Sequence, residues 1–246
     1  MAGQLSLAEQ TNSPSEAMNS SNADLPPGQR ERDSFPRFGL TQFATRFPAQ
    51  VDTIRLQIQG EVRAPVEISL AELQGLPRFE SIADFHCVTT WTHKGLRWGG
   101  VRFRDFYQQL VLPKAGPVSG ADFVILRGQD GARSCMVLED LLADDVLLAD
   151  RLNGEALGLA HGAPLRLLAP AHYGYKNVKH LDRIEFRRSN AGYRPSAYRF
   201  MEHPRARVAA EERGRWLPNW LLRLLYRPLI GPTAALFEQA LKERRT

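Results

Sequence analysis

Cys87 is one of two cysteines in the chain and stands in Asp84-Phe85-His86-Cys87-Val88-Thr89-Thr90-Trp91, where an extended apolar–polar stretch gives way to a polar loop. A thiolate at such a place, with His86 beside it, is suited to be a nucleophile or a soft ligand for a metal. As a nucleophile it would need a base, and His86 and His93 are at hand. Adjacent strand residues face opposite ways, however, and no Asp or Asn is set to orient either ring. Cys135, beside Met136 and Val137 in a strand pattern, reads as a packing residue. A second set of residues is cationic. His161-Gly162-Ala163-Pro164-Leu165-Arg166 and Pro170-Ala171-His172-Tyr173-Gly174-Tyr175-Lys176-Asn177-Val178-Lys179 gather donors and charges around loops shaped by Gly and Pro. Arg grips phosphate oxygens as a fork and Lys as a point charge, while glycine lets backbone N–H groups approach an anion. By composition alone the same residues would also describe a solvated basic loop. There is no Walker-type glycine loop and no GxGxxG after a strand, so a nucleotide has no support. Two cysteines argue against a disulfide framework, and neither a CxxC pair nor a zinc-finger spacing is present.

The elements that must position these residues are short. Ile54, Leu56 and Ile58 alternate with Arg55, Gln57 and Gln59 as in a half-buried strand. Ser69 and Glu72 have capping-box spacing before a short helix that ends near Gly75-Leu76-Pro77. Phe103 to Val111 is expected to be a helix stopped by Pro113. Asp122 to Arg127 and Arg133 to Val137 read as strands around a turn at Gly128 to Gly131, Asn153-Gly154 as a tight turn, and Leu165 to Leu168 and Arg183 to Phe186 as further strands. Strands interspersed with single short helices predict an α+β fold with mixed β-sheets, not a doubly wound parallel one.

The 246 residues are 43% hydrophobic and 24% charged, ordinary for a globular protein. Residues 1–34 hold few large apolar groups and are expected to be a disordered N-terminal segment. The main domain is expected over 35–190, with order beginning near Phe35-Pro36-Arg37-Phe38-Gly39. A basic C-terminal extension then covers 191–246. The net charge of +5 lies in that extension: His203 to Thr246 holds nine Lys/Arg and four Asp/Glu, and the rest carries 23 of each sign. Two amphipathic helices are expected there. Asn219, Arg223 and Arg227 share a stripe in the first, and Ala234, Phe237, Ala240 and Leu241 share a face in the second. They either pack on their own domain or offer a docking surface to a partner or a lipid headgroup layer. Arg223 and Arg227 lie among Trp and Leu and not in an aromatic-interleaved basic groove, which argues against nucleic acid. No apolar run reaches membrane-spanning length, and Met1 to Pro27 shows no secretory signal, so the expected location is the cytoplasm.

Taken in order, these motifs resemble the molybdopterin-binding domain of the sulfite-oxidase family, especially its short bacterial members. The likeness begins near Leu25-Pro26-Pro27-Gly28-Gln29 and Phe35 to Gly39. It strengthens through Phe85 to Trp91 and Trp98-Gly99-Gly100-Val101, continues through His161 to Arg166 and Tyr173 to Lys179, and fades after Phe186. The resemblance implies a molybdenum held by a pterin dithiolene and by Cys87, which matches the family's metal ligand. It further implies that His161 and Arg166 bind the pterin and its phosphate, and that Lys176, Asn177, Val178 and Lys179 form a loop holding the cofactor through backbone and terminal lysine. Phe85 and His86 would flank the metal ligand, Arg37 and Phe38 would line the pterin, and Asp130 would contribute from its turn.

The implied activity is oxygen-atom transfer on a sulfoxide, an N-oxide or a related small oxygen donor or acceptor. The alternative is a non-catalytic cofactor-binding or partner-docking subunit. The family's substrate-receiving arginine shortly after the cysteine is replaced by the neutral Val88-Thr89-Thr90-Trp91, which speaks against sulfite. Its Lys-Trp pair is here Lys179-His180. With neither a dimerisation domain nor a haem domain in the sequence, electrons are expected to pass to or from a separate electron-transfer protein, with the C-terminal helices as the docking element.

Overall fold

The computed structural model describes residues 25–53 and 55–245. Ile54 and residues 1–24, both included in the expectations above, lie outside the described residues. Two mixed sheets organise the chain. The first joins β1 (Arg30–Glu31), β5 (Trp91–Arg102), β8 (Leu147–Leu152) and β10 (Arg166–Leu168) in that order, with β4 (Arg78–His86) on β5 and β9 (Glu155–Ala156) on β8. The second has the order β3 (Val66–Ser69), β2 (Arg55–Gly60), β11 (Leu181–Arg187), β6 (Phe123–Gly128) and β7 (Arg133–Val137). Among the described residues β1–β5 and β2–β11 are parallel pairs and the other pairs are antiparallel. The expected α+β fold with mixed sheets and short helices is the one observed.

The alternation read from the sequence is what makes β2 half-buried. Leu56 and Ile58 are buried, Arg55 and Gln57 exposed, as a period of two requires of a strand with one face on a core. Those residues join Ile184 and Phe186 of β11, Val124 and Leu126 of β6, and Val101 and Leu148 of the other sheet in one apolar cluster. A second cluster holds Phe85, Trp91, Trp98, Leu147 and Cys87 itself, so the chemistry-bearing end of β4 rests on a packed floor. Helix α1 (Leu70–Gln74) carries the expected capping box, with Ser69 and Glu72 bonding reciprocally.

Two expectations need correction. The helix from Phe103 is not stopped by Pro113. After α2 (Phe103–Phe106) the chain widens into a π-helical stretch, Tyr107–Ala115, with Pro113 inside it and its end at Gly116 in the left-handed region (φ 58°). The wider i→i+5 pattern accommodates a ring that would strike the carbonyl four residues back in an α-helix. Nor are residues 25–34 without structure. Gln29 N–H donates to the Pro26 carbonyl, Arg30 N–H to Thr90 and Arg32 N–H to Thr92, which lays β1 along the start of β5. These are backbone bonds, which any residue type can make.

After the short α3 (Leu138–Leu141), the C-terminal extension holds α4 (Asn219–Tyr226) and α5 (Ile230–Arg245). Leu222 and Tyr226 of α4 and Phe237 and Ala240 of α5 are buried, and Phe237 and Ala240 pack with Phe43 and Ala44. Both helices therefore pack on the body of the protein. No helix among the described residues is long and apolar enough to cross a membrane.

Candidate functional site

Cys87 begins the turn that joins β4 to β5. Its N–H donates to the Trp91 carbonyl (2.8 Å), and Thr90 N–H donates to the Cys87 carbonyl (3.1 Å). Closing the hairpin in so few residues forces Thr90 into the left-handed region, at φ 83°, while it is buried. A β-branched residue is strained there and stays only where its surroundings hold it. Strand alternation puts Phe85 and Cys87 on one side and His86 on the other, where His86 Nδ1 lies 2.8 Å from Thr92 Oγ1. Cys87 Sγ lies 3.1 Å from Thr89 Oγ1. Burial pushes its thiol pKa up, opposed by the Thr89 hydroxyl and by the charges of Arg213 and Lys179.

Across from this turn the cationic loops converge. Gly162, at φ 110°, would bring an added Cβ to 3.1 Å from both the Arg166 and the Lys179 Cβ atoms, so only glycine lets the two cations close around it. Arg166 is fully buried and donates to the carbonyls of His161 (2.9 Å), Leu167 (3.2 Å) and Asn177 (3.4 Å). Lys179 Nζ donates to the Ala160 carbonyl at 3.0 Å. Arg37 is buried, bonds the carbonyls of Phe43 and Arg46, and lies 4.3 Å from the Phe47 ring centre. Arg37, Arg166 and Lys179 have no carboxylate within ion-pair distance among the described residues. Burial accordingly pushes Lys179 down to about 7 and Arg166 down to about 9, and the Arg166 and Arg37 charges add to the shift at Lys179. His161 falls to about 3 through burial and the neighbouring Lys179 and Arg166 charges. Asp130 is the acid that faces this group, and burial raises its own pKa.

Between turn and cations lies a cavity of about 720 Å³. Of the residues singled out in the sequence, Arg37, Phe38, Phe85, Cys87, Asp130, Asn177, Val178 and Lys179 all line it. His86, His161, Arg166 and Lys176 do not. His86 is turned off by strand alternation. His161 stacks on Phe35 (centroids 4.6 Å apart) and Arg166 lies 5.4 Å from the Phe85 ring, both behind the wall. Lys176 is fully buried, with Nζ donating to the Cys135 carbonyl (2.7 Å) and to Glu202 (3.2 Å), so its charge is neutralised within the protein. The Asn177 amide accepts from Ala169 N–H at 2.6 Å, which fixes the loop. Gly174 lets that loop lie against Phe85, since a Cβ there would come 2.5 Å from the ring. The sequence reading missed the wall supplied by Tyr226, Leu229, Thr233 and Phe237 of the extension, and missed Arg213, whose Nη1 donates to the Val88 carbonyl at 2.7 Å.

The donor set fits a large anionic chelate that brings most of a metal's ligands itself. No group of three or more His, Cys, Asp or Glu among the described residues could hold a metal, so an ion at Cys87 would need its other donors from a bound organic molecule. The cations are arranged for an anion that must be buried, since an unpaired buried charge is costly in either sign. Trp91 Nε1 and Tyr226 Oη, both on the cavity-lining residues, are buried without a protein partner and remain open to a polar ligand.

A lone thiol facing cations across a deep cavity, carried on two mixed sheets, defines a protein built for a phosphate-bearing metal cofactor. The chain belongs to the family described as the oxidoreductase molybdopterin binding domain, whose model matches residues 44–193. It is thus a molybdopterin-dependent oxidoreductase of the sulfite-oxidase type. It is 36% identical over 166 residues to the uncharacterized oxidoreductase YuiH of Bacillus subtilis (strain 168), covering 68% of this chain and 80% of that one. To the protein-methionine-sulfoxide reductase catalytic subunit MsrP of Campylobacter jejuni it is 29% identical over 186 residues, covering 64% of this chain and 61% of the relative. Among solved structures it resembles the sulfane dehydrogenase SoxCD of Paracoccus pantotrophus, with a TM-score of 0.51 and 26% identity over 63% of this chain and 44% of that one. The chain therefore spans most of the Bacillus protein and less than two thirds of the other relatives.

Proposed function

We propose that this oxidoreductase reduces sulfoxides, taking two electrons and two protons to convert R₂S=O into R₂S and water. The observation that carries the reading is the neutral, partly apolar mouth around Cys87, set opposite the cations. Val88, Thr89, Trp91 and Phe85 line the cavity there and offer no charge to receive an anion such as sulfite. A neutral, dipolar oxygen donor suits that surface, and similarity to the Campylobacter MsrP points the same way.

In this reading Arg37 and Lys179 face the cofactor phosphate and pterin, and Arg166 supports them from behind through the His161 and Asn177 carbonyls, with the His161 ring stacked on Phe35. Cys87 provides the thiolate, and the Thr89 hydroxyl, 3.1 Å from Sγ, holds it by a hydrogen bond. When bound, the molybdenum pterin supplies the oxygen-atom transfer and the change of oxidation state. The protein orients the sulfoxide between Phe85 and Trp91 and keeps bulk water from the metal with the Phe38, Tyr226 and Phe237 side.

Electrons come from a separate protein in this proposal, and the docking element is the outer face of α4 with the turn that follows it. Trp220, Leu224 and Leu225 of the helix and Leu229 of the turn are 49–63% exposed. Leu229 also lines the cavity, and Arg227 is exposed beside it, so the face adjoins the site and would suit an acidic partner.

The test uses protein from a molybdate-replete host, assayed with methyl sulfoxides and a reduced viologen. Wild type should carry about one molybdenum per chain and turn over. Cys87→Ser should retain pterin and lose at least about 10²-fold in kcat, as loss of a group that tunes the metal does. Wild type without molybdenum, or Cys87→Ser with full activity, would remove the reading.

A further inference from the structure

The turn bearing Cys87 is held from behind by segments on both sides of the family-matched stretch 44–193. From the N-terminal side, Gln29 Nε2 donates to the Cys87 carbonyl (3.1 Å) and Arg30 N–H donates to the Thr90 carbonyl (3.0 Å). From the C-terminal side comes Arg213, whose side chain has no exposure. Its Nη1 donates to the Val88 carbonyl (2.7 Å), its Nη2 to the Pro27 carbonyl (2.9 Å) and its Nε to the Glu211 carboxylate (2.9 Å). Its guanidinium sits 5.1 Å from the Tyr173 ring centre. Glu211 also accepts from Arg223 Nη1 at 2.9 Å, which ties the arrangement to α4. Arg213 is not on the cavity wall. Apart from its charge, which favours the Cys87 thiolate, it reaches the site through the turn.

We propose that Arg213 is a positioning residue that holds the Cys87–Thr90 turn in its strained form and so fixes the direction in which the thiolate is presented to the metal. The strain at Thr90 needs an external restraint, because a turn of this length would relax if its outward carbonyls lost their donors. Arg213 ties the turn and the Pro27 corner to its own segment, where Glu211 orients it, with a planar fork that lysine cannot reproduce. The metal-directed half of the proposal rests on the reading of Cys87 as the thiolate ligand; the turn-directed half does not.

Both halves can be tested on full-length wild type, Arg213→Met and Arg213→Lys. In protein from a molybdate-starved host, iodoacetamide alkylation is followed at each cysteine by mass spectrometry, with buried Cys135 as internal reference. Cys87 should react roughly tenfold or more faster in Arg213→Met, the factor by which one unsatisfied buried carbonyl shifts a local opening. Cys135 should be unchanged and Arg213→Lys intermediate. In molybdenum-loaded protein, the pentavalent paramagnetic resonance spectrum should shift in both variants and kcat should fall with KM held. Equal acceleration at both cysteines would reduce Arg213 to a general stabiliser and overturn the proposal. So would an unchanged Cys87 rate with an unchanged spectrum, and the lysine variant alone decides the matter if the methionine variant does not fold. Wild type lacking molybdenum would overturn the metal-directed half, while the alkylation ratio still decides the turn.

Discussion

Lys179 shows what burial among like charges does to a single ammonium group. Its pKa is held at about 7 by burial and by Arg166 and Arg37, against about 10.4 for a lysine in an unfolded chain. Between those values the unfolded state binds more protons than the folded one, so the stability of cofactor-free protein should rise as pH climbs from about 7 towards about 10. Below the lower value the penalty is fully present. Lys179→Met should remove that slope, and binding of the cofactor phosphate should remove it too, by restoring the charged form; chemical denaturation across pH checks both. Most residues of this kind were legible in the sequence because short contiguous motifs, Phe85-His86-Cys87 and Lys176 to Lys179, carry their own chemistry. Arg213 was not, since its bond to Val88 spans 125 positions and a buried arginine in a basic segment looks like any solvated one. The inward turn of the Lys176 side chain was hidden for a related reason: the charge that neutralises it, Glu202, comes from a segment with no motif.

At the level of elements, β2 was readable because one face is buried and the other wet, and the β6–β7 hairpin because two apolar runs, buried on both faces, flank a glycine turn. Edge strand β1 was not, because it is joined through backbone groups that leave no trace in composition. The π-helical passage over Pro113 defeated a rule that holds for α-helices only. Helix α5 offers the sharpest check on packing. Phe237 is 2% exposed, packs on Phe43 and lies 4.9 Å below the Arg37 guanidinium. Phe237→Ala should cost about 3–5 kcal/mol, the usual loss for a buried phenylalanine, and should lower the melting temperature. Because the same ring shapes the cavity, pterin retained per chain after gel filtration should fall as well. A variant that loses stability yet retains pterin would show that α5 is structural only.

Across the whole molecule, the proposed chemistry of the cavity and the proposed docking of an electron donor fall to different parts. The body contributes the thiol, the cations and the sheets; the extension contributes a wall inside and an apolar face outside. Paired substitutions Trp220→Ser and Leu224→Ser alter only exposed positions. They should leave viologen-linked turnover within about twofold, as surface changes do, while raising the KM for a protein electron donor; equal loss with both donors would count against docking there.

The inner wall has its own consequence for biosynthesis. Tyr226, Leu229, Thr233 and Phe237 emerge from the ribosome after every other side of the chamber. A nascent chain therefore presents an open bowl, already furnished with its sulfur and its cations, until the two terminal helices fold across it. On that order of synthesis the chelate would enter most easily before those helices pack against the bowl.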